Sequence, residues 1–268
     1  MMNDVLEAAV MAARAGGDVL MRYFRDGVQM RNKSEQGGKT YDLVSDADVE
    51  SERIIGEYLA EQFPNHELLG EENLVGQVDA EHVWVIDPLD GTNNFAHQIP
   101  HFAVSIGYYR SGVAEVAAIY NPARDEMYTA VRGGGAFRNG QPAQVCESSS
   151  LAQTLIGCGF YYDRGAMMKD TLATLEEFFS HDIHGIRRFG TASLDLCQVG
   201  CGYFGGFFEY KLSPWDFAAG RLFVEEAGGK ISDARGASLQ LEVGSVVASN
   251  GRLHDEMIEI TSKRAPTL

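Results

Sequence analysis

The chain has 268 residues, 45% of them hydrophobic and 22% charged, with a formal net charge of -16. That length suits one large domain or two modest ones and supplies enough apolar residue for a sizeable core. The negative charge argues against nucleic acid as a partner, since sequence-independent binding needs Lys and Arg to neutralise phosphates, and it disfavours an anionic membrane surface.

A small anionic substrate remains compatible if metal ions reverse the local field. Cys146, Cys158, Cys197 and Cys201 do not make a disulfide framework in a chain this long. Cys197 and Cys201 fall on one face of a helix and read as reduced thiols rather than a metal pair. No run reaches the ~18 apolar residues of a transmembrane span. Asp4, Glu7 and Arg14 interrupt any secretory pattern at the N-terminus, so the expectation is a cytoplasmic protein.

In chain order, residues 4–25 predict an amphipathic helix, with Val5, Leu6, Ala9, Val10 and Ala13, then Val19, Leu20, Tyr23 and Phe24, on one face. Residues 32–40 are a polar loop around Gly37 and Gly38. A second helix follows Asp48, with Val49, Ile54, Ile55, Tyr58 and Leu59 inward, and stops before Pro64. Leu68 and Leu69 lead into Gly70-Glu71-Glu72. A buried strand over 83–86 then runs into Asp87-Pro88-Leu89-Asp90, a tight turn at Gly91-Thr92 and the start of a helix.

Short strands are expected at 102–109, 113–120 and 126–131, with turns at Gly133-Gly134-Gly135 and Asn139-Gly140. The Ser-rich stretch 147–150 divides the chain into an N-terminal half, 1–147, and a C-terminal half, 148–268. In the second half strands are expected at 154–157, 186–189, a strand end at 207–209, and 246–249. Helices are expected at 171–179, 191–202, 214–227 and from Leu253 onward, the third closed by Gly228-Gly229. Mixed elements in both halves imply a layered α/β or α+β architecture.

The informative residues are acids. Asp87 and Asp90 stand three apart at the mouth of a buried strand, where they repel unless something positive neutralises them. They read as hard oxygen ligands for a cation, against the plainer reading of turn residues. The amides of Gly91, Thr92 and Asn93 open a helix and suit an anion beside that cation. Ser45-x-x-Asp48 reads as a capping motif, and Ser213-Pro214-Trp215-Asp216 as another with Pro at its first helical position. Locally, capping and function both remain open for Asp48 and Asp216. The chain lacks a Cys-x-x-Cys pair, a P-loop and a Gly-x-Gly-x-x-Gly that follows a strand, so oxygen ligation of Mg2+ or Mn2+ is favoured over zinc or a nucleotide fold.

Taken together, 87–95, 215–220 with 226–229, Gly70-Glu71-Glu72, and Asp42-Leu43-Val44-Ser45-x-x-Asp48 resemble the signatures of the inositol monophosphatase family, in the family's order. Arg187-Arg188 and Gly206-Phe207-Phe208-Glu209 are similar to its bacterial inositol-1-monophosphatases. The resemblance implies an α+β fold, the layered αβαβα sandwich shared with fructose-1,6-bisphosphatases, with the site between the two halves. It implies a first Mg2+ on Glu71, Asp87 and the Leu89 carbonyl, and a second on Asp87, Asp90 and Asp216. A third, weaker ion is implied near Glu71, and Mn2+ is a possible substitute.

Glu71 and Thr92 would aim the attacking water, with Asp48 supporting the Thr92 hydroxyl. The phosphate would meet Asp90, Gly91 and Thr92, and the polyol Thr191, Ala192, Glu209 and Asp216. The implied reaction is hydrolysis of a small phosphate ester, inositol monophosphate and related polyol phosphates first. Fructose 1,6-bisphosphate, 3′-phosphoadenosine 5′-phosphate, NADP and histidinol phosphate are rival substrates. A regulatory interaction protein on the same fold is a rival of another class. The resemblance also implies lithium sensitivity and a homodimer. Two residues depart from the family's pattern: Asn93 replaces the commoner Thr, and Gly205 stands where many relatives carry Asp, which is expected to loosen the substrate-side loop.

Overall fold

The computed structural model describes residues 2–26, 30–32 and 43–266. Helix α1 (Met2–Asp26) buries a stripe that includes Val5, Ala9, Ala13 and Leu20. At Gly16 a Cβ would stand 2.6 Å from Ile55 Cδ1, so α1 lies directly on α2 (Asp46–Gln62). Strands β1 (Met30–Asn32) and β2 (Leu43–Ser45) pair antiparallel. The predicted loop around Gly37 and Gly38, and Tyr41 and Asp42, lie outside the described residues.

The first large sheet has seven strands in sequence order. These are β3 (Glu67–Gly70), β4 (His82–Asp90), β5 (Ala103–Arg110), β6 (Val113–Asn121), β7 (Glu126–Val131), β8 (Gly135–Arg138) and β9 (Gln141–Ala143). Only β3 and β4 run parallel in it; the other pairs are antiparallel. A single helical turn, α3 (Thr92–Ala96), joins β4 to β5. Strands β4 and β5 are buried along almost their whole length, which is why they read as continuous apolar runs rather than alternations. Asn139 and Gly140 both have positive φ, at 48 and 75 degrees, as the two-residue β8–β9 hairpin demands.

The second sheet has the order β11-β10-β12-β14-β13, built from β10 (Leu155–Cys158), β11 (Gly185–Arg187), β12 (Gly206–Leu212), β13 (Lys230–Ser232) and β14 (Gly244–Ser249). Helices α4 (Ala166–Ser180) and α7 (His254–Thr261) cover its outer face. Helices α5 (Ala192–Gly200) and α6 (Pro214–Glu226) lie between the two sheets.

Four cores separate five layers. One lies between α1/α2 and the first sheet, and one between that sheet and α5/α6. A third lies between α5/α6 and the second sheet, and the last under α4 and α7. This is the expected αβαβα sandwich. The small residues of α6 make its middle layer thin: a Cβ on Gly107 of β5 would stand 3.1 Å from the Ala219 amide nitrogen. That close approach brings the N-terminus of α6 to the end of β4.

Four local expectations need correction. Val49 points outward, 38% exposed, because the inward face of α2 carries Asp48, Ser51 and Glu52. Asp87 and Asp90 belong to β4 itself rather than to a turn after it. Glu209 lies inside the seven-residue strand β12, not at its end. The segment at Gly205 is pinned rather than loosened, with its N–H donating to Leu155 O at 2.9 Å and its carbonyl accepting from Asn250 N at 3.1 Å. A Cβ there would lie 2.6 Å from Thr154, so this packing favours glycine.

Candidate active site

The end of β4 contains a bulge. Asp87 pairs with Ser105 and Asp90 with Ala103, so four residues of β4 face three of β5. Side chains alternate faces along a regular strand, and two residues three apart would point opposite ways. The extra residue restores parity and turns both carboxylates to one side. Pro88, which has no N–H to lose, fits such an irregularity. Gly91 follows with φ 95 degrees, a left-handed turn that starts α3 and leaves the first amides of that turn without partners inside the helix.

The acids line a cleft of about 240 Å³. From the first half come Glu71, Asp87, Leu89, Asp90, Gly91 and Thr92. From the second come Thr191, Ala192, Glu209 and Asp216. Every site residue expected from the sequence is therefore at this cleft except Asp48, which stands behind it. The Thr92 hydroxyl lies 3.4 Å from Asp48 Oδ1 and 3.1 Å from Leu89 O, so its one proton has two acceptors to choose between. Asp216 satisfies both of its readings. It closes the capping box of α6, accepting from Ser213 N at 2.6 Å, and it lines the cleft. The Ser45 side chain of the other capping motif lies outside the described residues.

Three carboxylates are fixed in advance. Asp87 accepts from Leu89 N at 3.0 Å. Asp90 Oδ2 accepts from Ser193 N at 2.7 Å and Ser193 Oγ at 2.6 Å. Asp216 is fixed by its cap. Burial raises the pKa of Asp87 well above the usual carboxylate range, and Glu71, Asp90 and Asp216 add to it. Burial likewise raises Asp216, followed by Asp90 and Glu71. Burial pushes Asp90 up to about 6 against the opposing bonds from Ser193. Glu209 is pushed up to about 8 by burial, with Arg188 opposing.

Such a set of buried acids is incomplete without positive charge. Among the described residues no three of these groups stand close enough to close a metal site on their own. The donor chemistry still fits Mg2+, a hard cation that takes one or two carboxylates and keeps several waters.

Sequence reasoning missed Ser193, because a serine early in a helix carries no signal for a partner 103 residues away. It also missed Asp195, a buried acid of α5 whose Oδ1 has no hydrogen-bond partner, and Tyr161 and Lys211 on the far wall. Lys211 Nζ sits 4.6 Å from the centre of the Tyr161 ring. The triple glycine after β7 is no phosphate cradle: the amides of Gly133 and Gly135 donate to Glu226 at 2.9 and 3.0 Å. All four cysteines are free; Cys158 and Cys197 are buried, and Cys146 and Cys201 half-buried.

The five-layer sandwich with its acid-lined cleft is the fold class of the inositol monophosphatase structures it superposes on. The family described as "Inositol monophosphatase family" matches residues 1–265. The "Inositol-1-monophosphatase" of Rhizobium meliloti is 42% identical over 267 residues, covering 99% of this chain and 98% of the relative. The "Putative Nus factor SuhB" of Neisseria meningitidis serogroup B is 42% identical over 264 residues, covering 97% and 99%. The crystal structure of the extragenic suppressor protein suhB from Bartonella henselae superposes with a TM-score of 0.88 at 36% identity, covering 97% of this chain and 99% of that one. The chain belongs to the inositol monophosphatase family.

Proposed function

We propose that this protein is a magnesium-dependent phosphomonoesterase that hydrolyses inositol monophosphate and related polyol phosphates. The observation that carries the proposal is the meeting of Glu71, Asp87, Asp90 and Asp216 beside Thr92 at one cleft, where the influences raising Asp87 are burial and three neighbouring acids. Glu71, Asp87, Asp90, Asp216 and the Leu89 carbonyl would hold two or three Mg2+ ions. Bound there, Mg2+ supplies a water acidic enough to lose its proton near neutral pH and neutralises phosphoryl charge.

The chain's own groups do the rest. Glu71 and the Thr92 hydroxyl orient the attacking water, with Asp48 behind Thr92. The amides of Gly91, Thr92 and Asn93 face the phosphoryl oxygens as charge moves onto them. Glu209 and Asp216 accept hydroxyl hydrogens of the alcohol, and Thr191 and Ala192 border the ring. Lithium inhibition and assembly as a homodimer belong to the same proposal.

Phosphate release tests the reading, measured with and without Mg2+ on inositol monophosphate, fructose 1,6-bisphosphate, 3′-phosphoadenosine 5′-phosphate, NADP and histidinol phosphate. The expected result is Mg2+-dependent release with the highest kcat/KM on the inositol ester. Equal or better turnover of a nucleotide overturns the substrate assignment. A second reading has one observation in its favour: a relative at 42% identity is named a putative Nus factor. A regulatory interaction role on this fold is compatible with an intact acid set, and it predicts that such a function persists in a catalytically dead variant.

A further inference from the structure

Helix α2 carries a stripe of buried polar side chains where an amphipathic helix carries apolar ones. Asp48, Ser51 and Glu52 are at most 1% exposed, and their spacing of three and one puts them on one face. Each touches a different segment of the site. Asp48 lies beneath the Thr92 hydroxyl. Ser51 Oγ donates to Pro88 O at 3.1 Å, inside the β4 bulge. Glu52 accepts from the amides on the far side of Glu71: Oε1 from Glu72 N at 2.9 Å and Oε2 from Asn73 N at 2.6 Å. On the near side, a Cβ on Gly70 would lie 2.2 Å from Glu52 Oε1, so this packing requires glycine there.

We propose that Glu52 is a positioning residue that sets the Glu71 carboxylate for divalent-ion binding by clamping the Gly70–Asn73 segment to α2. This rests on the reading of Glu71 as a Mg2+ ligand. The segment containing Glu71 has only four residues of β3 behind it and enters irregular structure at once. The turn bond from Gly70 N to Leu74 O at 3.0 Å closes its ends, but without the clamp more of the ordering at Glu71 would fall to the ion, at a cost in affinity. A buried carboxylate that takes two backbone N–H groups, one on each oxygen, supplies that order beforehand. Glutamine cannot replace it: its oxygen can take one amide, but its NH2 meets the other donor against donor.

The experiment is calorimetric titration of Mg2+ into the full chain stripped of divalent ions, for wild type, Glu52→Gln and Gly70→Ala. Amide hydrogen exchange at Glu72 and Asn73 is followed in parallel. Glu52→Gln is expected to weaken Mg2+ binding by about tenfold to a hundredfold and to speed exchange at both amides. Gly70→Ala, which pushes Glu52 away from the other side, is expected to do the same and carries the test if Glu52→Gln fails to fold. A merely structural Glu52 would lower Tm and leave the Mg2+ affinity of the folded protein unchanged; that result overturns the proposal. If wild type itself takes up no Mg2+, the metal reading of the site falls, and this inference falls with it.

Discussion

The two walls of the cleft are built on different rules. The wall from the first half is rigid and acidic, with each segment tied to a neighbour: Asp87 to Leu89 N, Thr92 to Leu89 O, and the loop after β3 to Glu52. The wall from the second half mixes signs and shapes. It presents Glu209, Arg188, Lys211 and the aromatic run Phe160, Tyr161 and Tyr162. Ties cross between them, among them Ser193 to Asp90, Asn94 Nδ2 to Phe189 O at 2.8 Å and Thr191 Oγ1 to His101 O at 3.0 Å. The difference teaches a division of labour. Under the proposed function most of the ion-holding acids sit on the fixed wall, with Asp216 facing them from the second, and recognition of the variable alcohol falls to that second wall.

The sharpest way to break that division is Asp90→Asn. Asparagine keeps an oxygen for Ser193 but gives up charge, so kcat is expected to fall by roughly 10² to 10³ with a near-normal circular dichroism spectrum. Near-normal activity in that variant would remove the metal assignment from the first wall. A smaller effect is expected on the second wall. Glu209→Gln should raise KM for inositol monophosphate by about tenfold to a hundredfold with kcat largely kept, and change p-nitrophenyl phosphate hydrolysis little. A fall in kcat matching that of Asp90→Asn would mean that the walls share one task.

The smallest effect is on stability. Asp87, Asp90, Asp216 and Glu209 have folded pKa values above their unfolded ones. For raised acids the fold favours the protonated form. In metal-free protein their contribution is therefore fully present below the unfolded carboxylate range and is lost as pH rises through the folded values, about 6 for Asp90 and about 8 for Glu209. Tm without divalent ions should decline between pH 5 and pH 8.5. Mg2+ at a hundredfold excess over its Kd should restore about 5 to 10 °C at the upper end. A Tm that Mg2+ leaves unchanged at pH 8.5 would argue that the first wall needs no cation.

Much of this was legible in the chain. The burial of β4, the acids at its end and the capping motif at Ser213 announce themselves locally, and the layered fold follows from mixed elements in both halves. Ser193 and Glu52 were not legible, since their partners are distant in sequence and their own surroundings look ordinary. Val49 misled for a physical reason. Periodicity assumes that a buried face is apolar, whereas the buried face of α2 begins with Asp48, Ser51 and Glu52, so the nearest apolar residue was assigned inward by default. β13 was missed because three residues at a sheet edge, with Lys230 exposed, carry too little pattern to read.

The bulge at the end of β4 makes the site a matter of counting as well as of chemistry. Inserting a single residue into β5 between Ala103 and Ser105, opposite the bulge, would keep every acid and every hydroxyl. It would set four residues against four, return the pair to even alternation and send one of the two aspartates, still three apart, to the opposite face. A gene with all its functional codons intact could thus encode a protein with no place for its phosphate. The number of residues facing the acids across the sheet is itself a functional property, one that no inventory of side chains records.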